Sequence, residues 1–271
     1  MPLKWVVSLA LVLALSDSDR TVGIDPPVWA RPVCRQDPKA EPSPEELKTQ
    51  ARRDLDHPEA KGSLDHALAF LKEGVKRHPE SKELASLLAE ACCRTIEAHE
   101  PKAGEPQDPL KEVRDAGLKS ARAALSVDAD CGPAHYWCGY LILHSAEAES
   151  SYRLLKEGLR ELETAERLAC DIDLAGPLRM QGRIYQETPG WPLLGSIKKA
   201  IRLYERAVQK SPEGILNHLW LGEAYQANHQ PDLARIQFQW VKSAEARTGH
   251  EKEDENARKE AASRLEQLQE R

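Results

Sequence analysis

Small side chains return at fixed intervals through most of this chain, each set interleaved with bulky ones, and no other feature limits the fold so tightly. Ala200, Tyr204, Ala207 and Pro212 stand 4, 3 and 5 positions apart. Leu221, Gly222 and Tyr225 follow, and 9 positions beyond Tyr225 a new set begins with Ala234, Phe238 and Val241. On a helix, positions three and four apart share a face. Ala or Gly on that face lets two backbones approach, and a neighbouring Tyr, Phe or Leu fills the groove so formed. The proline that closes a set stops the helix. The pattern therefore predicts antiparallel helix pairs, each burying its apolar face against the next. Strands are poorly supplied: Ala, Leu, Glu, Lys, Arg and Gln dominate, and only two Phe are present.

The same phase runs upstream. Gly182 and Tyr185 mark one first helix, preceded by Gly158, Leu162 and Ala165 on a second helix. Gly139 and Ile142 mark another, preceded by Gly117, Ala121 and Ala124. Further back, Ala67, Leu71, Gly74 and Pro79 lead into Leu88, Ala89 and Cys92. This periodicity is similar to that of the tetratricopeptide (TPR) repeat, two helices in about 34 residues. The expected fold is all-α: a TPR-like right-handed solenoid of antiparallel helix pairs over residues 46–250, with a capping helix at 251–271. That last helix should turn Leu265 and Leu268 inward and cover the rest with Glu, Lys and Arg.

The N-terminal residues follow another logic. Lys4 precedes an eleven-residue apolar run, Trp5 to Leu15, broken only by Ser8, and Ala14-Leu15-Ser16 has the small residues a signal peptidase reads. Residues 1–16 are expected to be a signal peptide and the chain to be exported, periplasmic or secreted. The alternative is an N-terminal membrane anchor, although the run falls short of the roughly 20 residues of a bilayer span. No Cys closely follows the run, so lipid attachment is not expected. Residues 17–45 read as a linker, because Pro26, Pro27, Pro32, Pro38, Pro42 and Pro44 prevent helix propagation. No later run is long enough to span a membrane after signal cleavage.

Three hairpin loops look longer than the repeat requires. Residues 99–109 are polar and Pro-rich, and the segment from Ser145 to Ser151 is polar too. Thr188 to Gly195 differs in carrying Trp191, Leu193 and Leu194, which either fold back over a helix end or meet a partner.

The stretch from Leu174 to Gln226 resembles the TRAP-transporter-associated T-component (TatT) family of bacterial periplasmic TPR proteins. The matching residues are Gly176, Pro177, Arg179, Gly182, Arg183, Ile184 and Tyr185, then Pro189, Gly190 and Pro192, then Asn217, His218, Leu221, Glu223, Ala224 and Tyr225. Cys131 to Ile142 resembles that family's Cys-Ala-Ala-x-Tyr-Trp segment, with Cys138 and Gln181 standing where the family tends to have Leu. The resemblance covers roughly the last 160 residues well and the first hundred loosely. It implies a periplasmic accessory protein whose groove handles a hydrophobic small molecule or docks a solute-binding protein. The related regulator of microtubule dynamics group shares the helical plan and fits the loop less closely.

Chemistry-bearing motifs are missing. There is no Gly-rich phosphate loop, His-Glu-x-x-His or Cys-x-x-Cys, and the nine His show no metal-ligand spacing. We expect no catalytic residue, no metal and no cofactor. A net charge of −6 argues against nucleic-acid binding. Among the six cysteines, Cys131 opens one first helix and Cys170 closes its partner, so antiparallel packing makes them a candidate disulfide, against the alternative of small apolar fillers. Cys92 and Cys138 fall on core positions. Trp220 and Trp240 read as packing between repeats, and so, more simply than as groove residues, do Asn217 and His218.

The expected concave face carries Tyr136, Tyr140, Arg179, Arg183, Leu219, Glu223 and Gln226, a surface suited to an amphipathic ligand or a peptide. The functional expectation is a non-catalytic exported scaffold that binds a protein partner or an amphipathic ligand there. The alternatives are an accessory of a TRAP-type transporter binding a hydrophobic small molecule, and an intracellular microtubule-associated regulator. Whether the chain forms a homo-oligomer is left open.

Overall fold

The computed structural model describes residues 42–99, 108–190 and 193–269. The segment expected to be a signal peptide, most of the linker, most of the 99–109 loop and Trp191 lie outside them. Among the described residues every regular element is a helix. Five pairs succeed one another: α1 (Pro44–Leu55) with α2 (Ser63–Arg77), α3 (Lys82–Glu97) with α4 (Lys111–Val127), α5 (Gly132–Ala148) with α6 (Tyr152–Leu168), α7 (Ile172–Glu187) with α8 (Ile197–Lys210), and α9 (Ile215–Ala227) with α10 (Pro231–Ser243). A last helix, α11 (Glu251–Gln269), follows.

Each helix packs on the next, and the first helices α1, α3, α5, α7 and α9 also touch in succession. The second helices make no such contacts with one another. An inner layer that packs continuously and an outer layer that splays give the stack its curvature, with the first helices on the concave side.

Local chemistry explains where the helices begin. Ser43, Ser81, Ser151 and Ser196 are N-caps whose side chains accept from the backbone N–H of Glu46, Leu84, Leu154 and Lys199. At Ser43 the bond is reciprocated, since the Ser43 N–H donates to Glu46 Oε2 at 2.8 Å. Pro44 then sits at the first helical position, where its missing N–H costs nothing. Helix α1 thus begins two residues inside the segment read as linker.

The small-large pattern does what its spacing implies. Ala200, Ala207, Ala224 and Ala234 are fully buried. A Cβ placed on Gly182 would lie 2.6 Å from the Tyr204 ring, and one on Gly222 would lie 2.6 Å from the Phe238 ring. Real Cβ atoms do not come so close, so glycine is what admits each aromatic. Cys92 and Cys138 are buried as expected, and burial pushes their thiols up to about 11 and about 12. The Ser145–Ser151 segment departs from its reading: α5 continues through Ala148, and the turn is only Glu149–Ser151, with Ser150 in the left-handed region. In the Thr188–Gly195 loop Leu194 packs on the core, while Leu193 stays exposed.

The C-terminal helix does more than cover an end. Leu268 is buried and Leu265 packs against the core, as the pattern implied, but Ala257, Ala261 and Asp254 are buried as well. Asp254 receives the Arg247 backbone N–H at 2.7 Å and its guanidinium. Beyond that turn the chain returns to the first pair. The carboxylate of Glu59, between α1 and α2, accepts from the backbone N–H of Lys252 at 2.8 Å and of Glu253 at 2.9 Å. Gly249, at φ 82°, lies so close that a Cβ would be 2.4 Å from the Asp56 carbonyl oxygen. Glu59 therefore serves as the N-terminal cap of a helix some 190 residues away, where a carboxylate meets both free N–H groups and the positive end of the dipole. Glu59→Ala is expected to cost about 1 kcal/mol, as other cap losses do. Hydrogen exchange at the Lys252 and Glu253 amides should accelerate, and unchanged exchange there would show that the cap is not holding the seam.

Candidate functional site

The concave side opens into a cleft of about 1220 Å³. Its walls come from Lys48, Arg52 and Leu55 of α1 and from Glu83, Ser86, Leu87, Glu90 and Arg94 of α3. Pro133 and Trp137 of α5 and the turn from Leu168 to Leu174 extend it, and Arg247 and His250 close its far side. Arg52 makes a bidentate bond to the buried Glu90 at 2.9 and 3.0 Å, tying α1 to α3 beneath the opening.

At the floor lies the most unusual backbone in the molecule. Asp173, Leu174 and Ala175 have φ of 51°, 53° and 64°, three consecutive residues in the left-handed region, so α7 becomes regular only from Gly176 and Pro177. Such residues cost roughly 1–2 kcal/mol each and persist only where their surroundings hold them. The holding groups are visible. Asp173 accepts from Arg94 at 2.7 Å, from Arg179 at 2.6 Å and from the Tyr136 hydroxyl at 2.5 Å. Arg179 also donates to the carbonyls of Asp173 and Leu174 at 2.9 and 3.3 Å, and Asn217 donates to the Leu174 carbonyl at 2.9 Å. One carboxylate and the loop it carries thus join α3, α5, α7 and α9.

Electrostatics follow from this enclosure. Burial alone would push the Asp173 carboxyl up, but Arg94 and Arg179 with the Tyr136 bond overcome it and hold the group well below the usual carboxylate range. Glu97 goes the other way. It faces a smaller recess of about 220 Å³ behind the cleft, and although its side chain is 31% exposed, partial desolvation there pushes its carboxyl up despite Arg94 at 3.0 Å. Burial and then Glu97 push the Tyr140 hydroxyl up in turn.

The residues expected on the concave face divide into three groups. Tyr140 and Arg179 do line the inner recess. Tyr136 and Leu219 are buried in the core, so they support the wall and do not form its surface. Arg183, Glu223 and Gln226 lie toward the C-terminal end, where Arg183 donates to Glu223 at 2.9 Å while lying over the Trp220 ring, and Arg264 of α11 reaches the same carboxylate. Trp220 and Trp240 pack as expected, Trp240 stacking on His218 at 3.7 Å, and Asn217 and His218 are both buried. Cys131 and Cys170, the candidate disulfide pair, both stand as free thiols. The two helix ends do meet, but through Gly132 against Leu168 and Ala169. Leu193 and Leu194 of the α7–α8 loop do not line the cleft.

What sequence reasoning missed is the N-terminal half of the site: Arg52, Ser86, Leu87, Glu90 and Arg94. The signal available was the apolar-and-charged face of Lys82–Glu97, which the loose repeat pattern of the first hundred residues obscured. Among the described residues no group of three or more His, Cys, Asp or Glu could hold a metal ion, and no helix is long and apolar enough to cross a membrane.

No family profile and no curated protein sequence matches this chain. Its fold has solved counterparts. TTC0263, a thermophilic TPR protein of Thermus thermophilus, superposes with a TM-score of 0.57 at 17% identity, over 81% of this chain and 98% of that one. Human IFIT1, as a dimer with m7Gppp-AAAA, superposes with a TM-score of 0.54 at 17% identity, over 84% of this chain and 46% of that one. The class is therefore a TPR-like helical-repeat solenoid.

Proposed function

We propose that this protein is a non-catalytic scaffold that receives an extended segment of a partner protein in its concave cleft. The observation that carries this reading is the cleft itself. It runs across successive first helices, is backed by the buried Leu55, Leu87 and Trp137 with Ile172 partly open beside them, and is walled by charged side chains held by ion pairs. An extended chain presents side chains to such a surface while its own backbone groups stay near water. The apolar N-terminal run supports export as the setting. A photo-crosslinking amino acid at Thr49, on the cleft, should trap partner segments in the native host, and one at Arg160, on the outer helix α6, should not. Equal trapping from both positions would refute the concave-face reading.

A second reading, an accessory of a TRAP-type transporter that takes a hydrophobic solute, draws its support from the resemblance over Leu174 to Gln226. Under it the inner recess beside Tyr140, Met180 and Trp220 would be the solute site. Native mass spectrometry of protein from its own host distinguishes the two, since a retained small molecule favours the second.

A further inference from the structure

We propose that the segment received by the cleft is basic, with lysine or arginine recurring about every third residue between apolar anchors. This rests on the peptide-binding reading above and names its partner.

The argument is a charge account of the lining. Arg52 is taken by Glu90, Lys82 by Asp128, Arg94 by Glu97 and Asp173, and Arg247 by Glu253 and Asp254. Lys48 pairs with Glu45 on its own helix, and Asp56 lies 3.9 Å from Arg52. Three carboxylates on the lining form no ion pair among the described residues: Glu83, Asp130 and Asp171, although Glu83 is close enough to its neighbour Lys82 to help raise it. Arg53 is the one cation of the lining in the same condition, again among the described residues. The uncompensated charge is therefore acidic, and all three carboxylates are exposed.

Their placement repeats with the fold. Glu83 opens α3, Asp130 precedes α5 and Asp171 precedes α7, so each belongs to the turn that enters a successive first helix. Packed helix neighbours lie about 8–10 Å apart. An extended chain covers about 3.3 Å per residue, so three residues match one step of the array. Apolar sites lie between the acids. Leu168 is 44% exposed on the lining, and the start of α5 touches it, since a Cβ on Gly132 would lie 3.0 Å from the Leu168 Cβ.

A further observation points to a ligand independently of charge. Ser86 is only 6% exposed, lines the cleft, and has no hydrogen-bond partner for its hydroxyl among the described residues. The hydroxyl itself is not one of the wholly enclosed unbonded atoms, so the little surface that Ser86 keeps opens into the cleft. A backbone group of a bound segment would satisfy it.

The test uses the whole protein and three fluorescent peptides of about 15 residues, enough to pass three turns. One repeats Lys-Leu-Ser, and the others replace each Lys by Gln or by Glu. The Lys peptide should bind at least tenfold tighter than the Glu peptide at low salt, and raised salt should narrow the ratio. Glu83→Gln with Asp130→Asn and Asp171→Asn should bring the ratio close to one, with the thermal unfolding curve unchanged because the three side chains are exposed. Equal binding of the Lys and Gln peptides, or tighter binding of the Glu peptide, would overturn the basic preference and leave the peptide-binding reading standing. Failure of all three peptides to bind would remove both.

Discussion

Asp173→Ala is expected to lower the unfolding free energy by about 3–5 kcal/mol, the usual cost of removing one partner from a buried ion pair. The substitution leaves the Arg94 and Arg179 guanidinium groups enclosed without their shared anion, and the Tyr136 hydroxyl without its acceptor. It also releases the three left-handed residues, whose relaxation returns part of the loss. Hydrogen exchange at Leu174–Gly176 should therefore rise more than elsewhere in the inner layer. Urea unfolding measures the total, and a change under about 1 kcal/mol would show that the strained loop is not held by Asp173.

The pH dependence has a definite sign. A carboxyl lowered on folding contributes stability that is full above its unfolded value, about 3.9, and is lost as pH falls through the lower folded value. The gap between wild type and Asp173→Ala should hold near neutral pH and shrink below about pH 4. Glu97, raised on folding but about a third exposed, acts weakly in reverse: its opposition to folding grows above about 4.3, is full once pH exceeds its raised value, and is absent at lower pH.

Phe238→Ala should cost about 3–5 kcal/mol, because a fully buried ring at the contact between α9 and α10 is replaced by a cavity. Gly222→Ala should cost about 1–3 kcal/mol by overpacking, since its new methyl would overlap that ring. The informative variant is the pair. Gly222→Ala with Phe238→Leu puts the methyl where part of the ring has gone, so the double variant should be more stable than the sum of Gly222→Ala and Phe238→Leu measured singly by more than about 0.5 kcal/mol. Simple additivity would mean that the glycine is not there to admit the aromatic.

These two regions differ in how far they could be read from sequence. Gly222 and Phe238 lie 16 positions apart, within one helix pair, and the same kind of contact recurs within another pair at Gly182 and Tyr204, 22 positions apart. Contacts of that kind leave a periodic trace. Arg94 and Asp173 are 79 positions apart, and Glu59 and Lys252 are 193 apart. Nothing periodic links them, and each uses a charged residue of a sort abundant on every helix surface. The concave side was legible as a consequence of stacking. Its cleft was displaced toward α1 and α3, because α11 lies against α9 and Arg264 engages Glu223. The reading from sequence treated α11 as an end cover, with no part in the wall.

The bond from Glu59 to the start of α11 has an evolutionary corollary. Repeat proteins commonly lengthen or shorten by duplicating or losing whole units, because each unit recognises only its immediate neighbours. Here the first pair and the C-terminal helix also recognise each other, so one extra pair would carry the Lys252 and Glu253 amides away from their carboxylate and strand Gly249 off the Asp56 carbonyl. The seam thus ties the count of units to one closure geometry, and related chains that keep it should vary in loop length before they vary in repeat number.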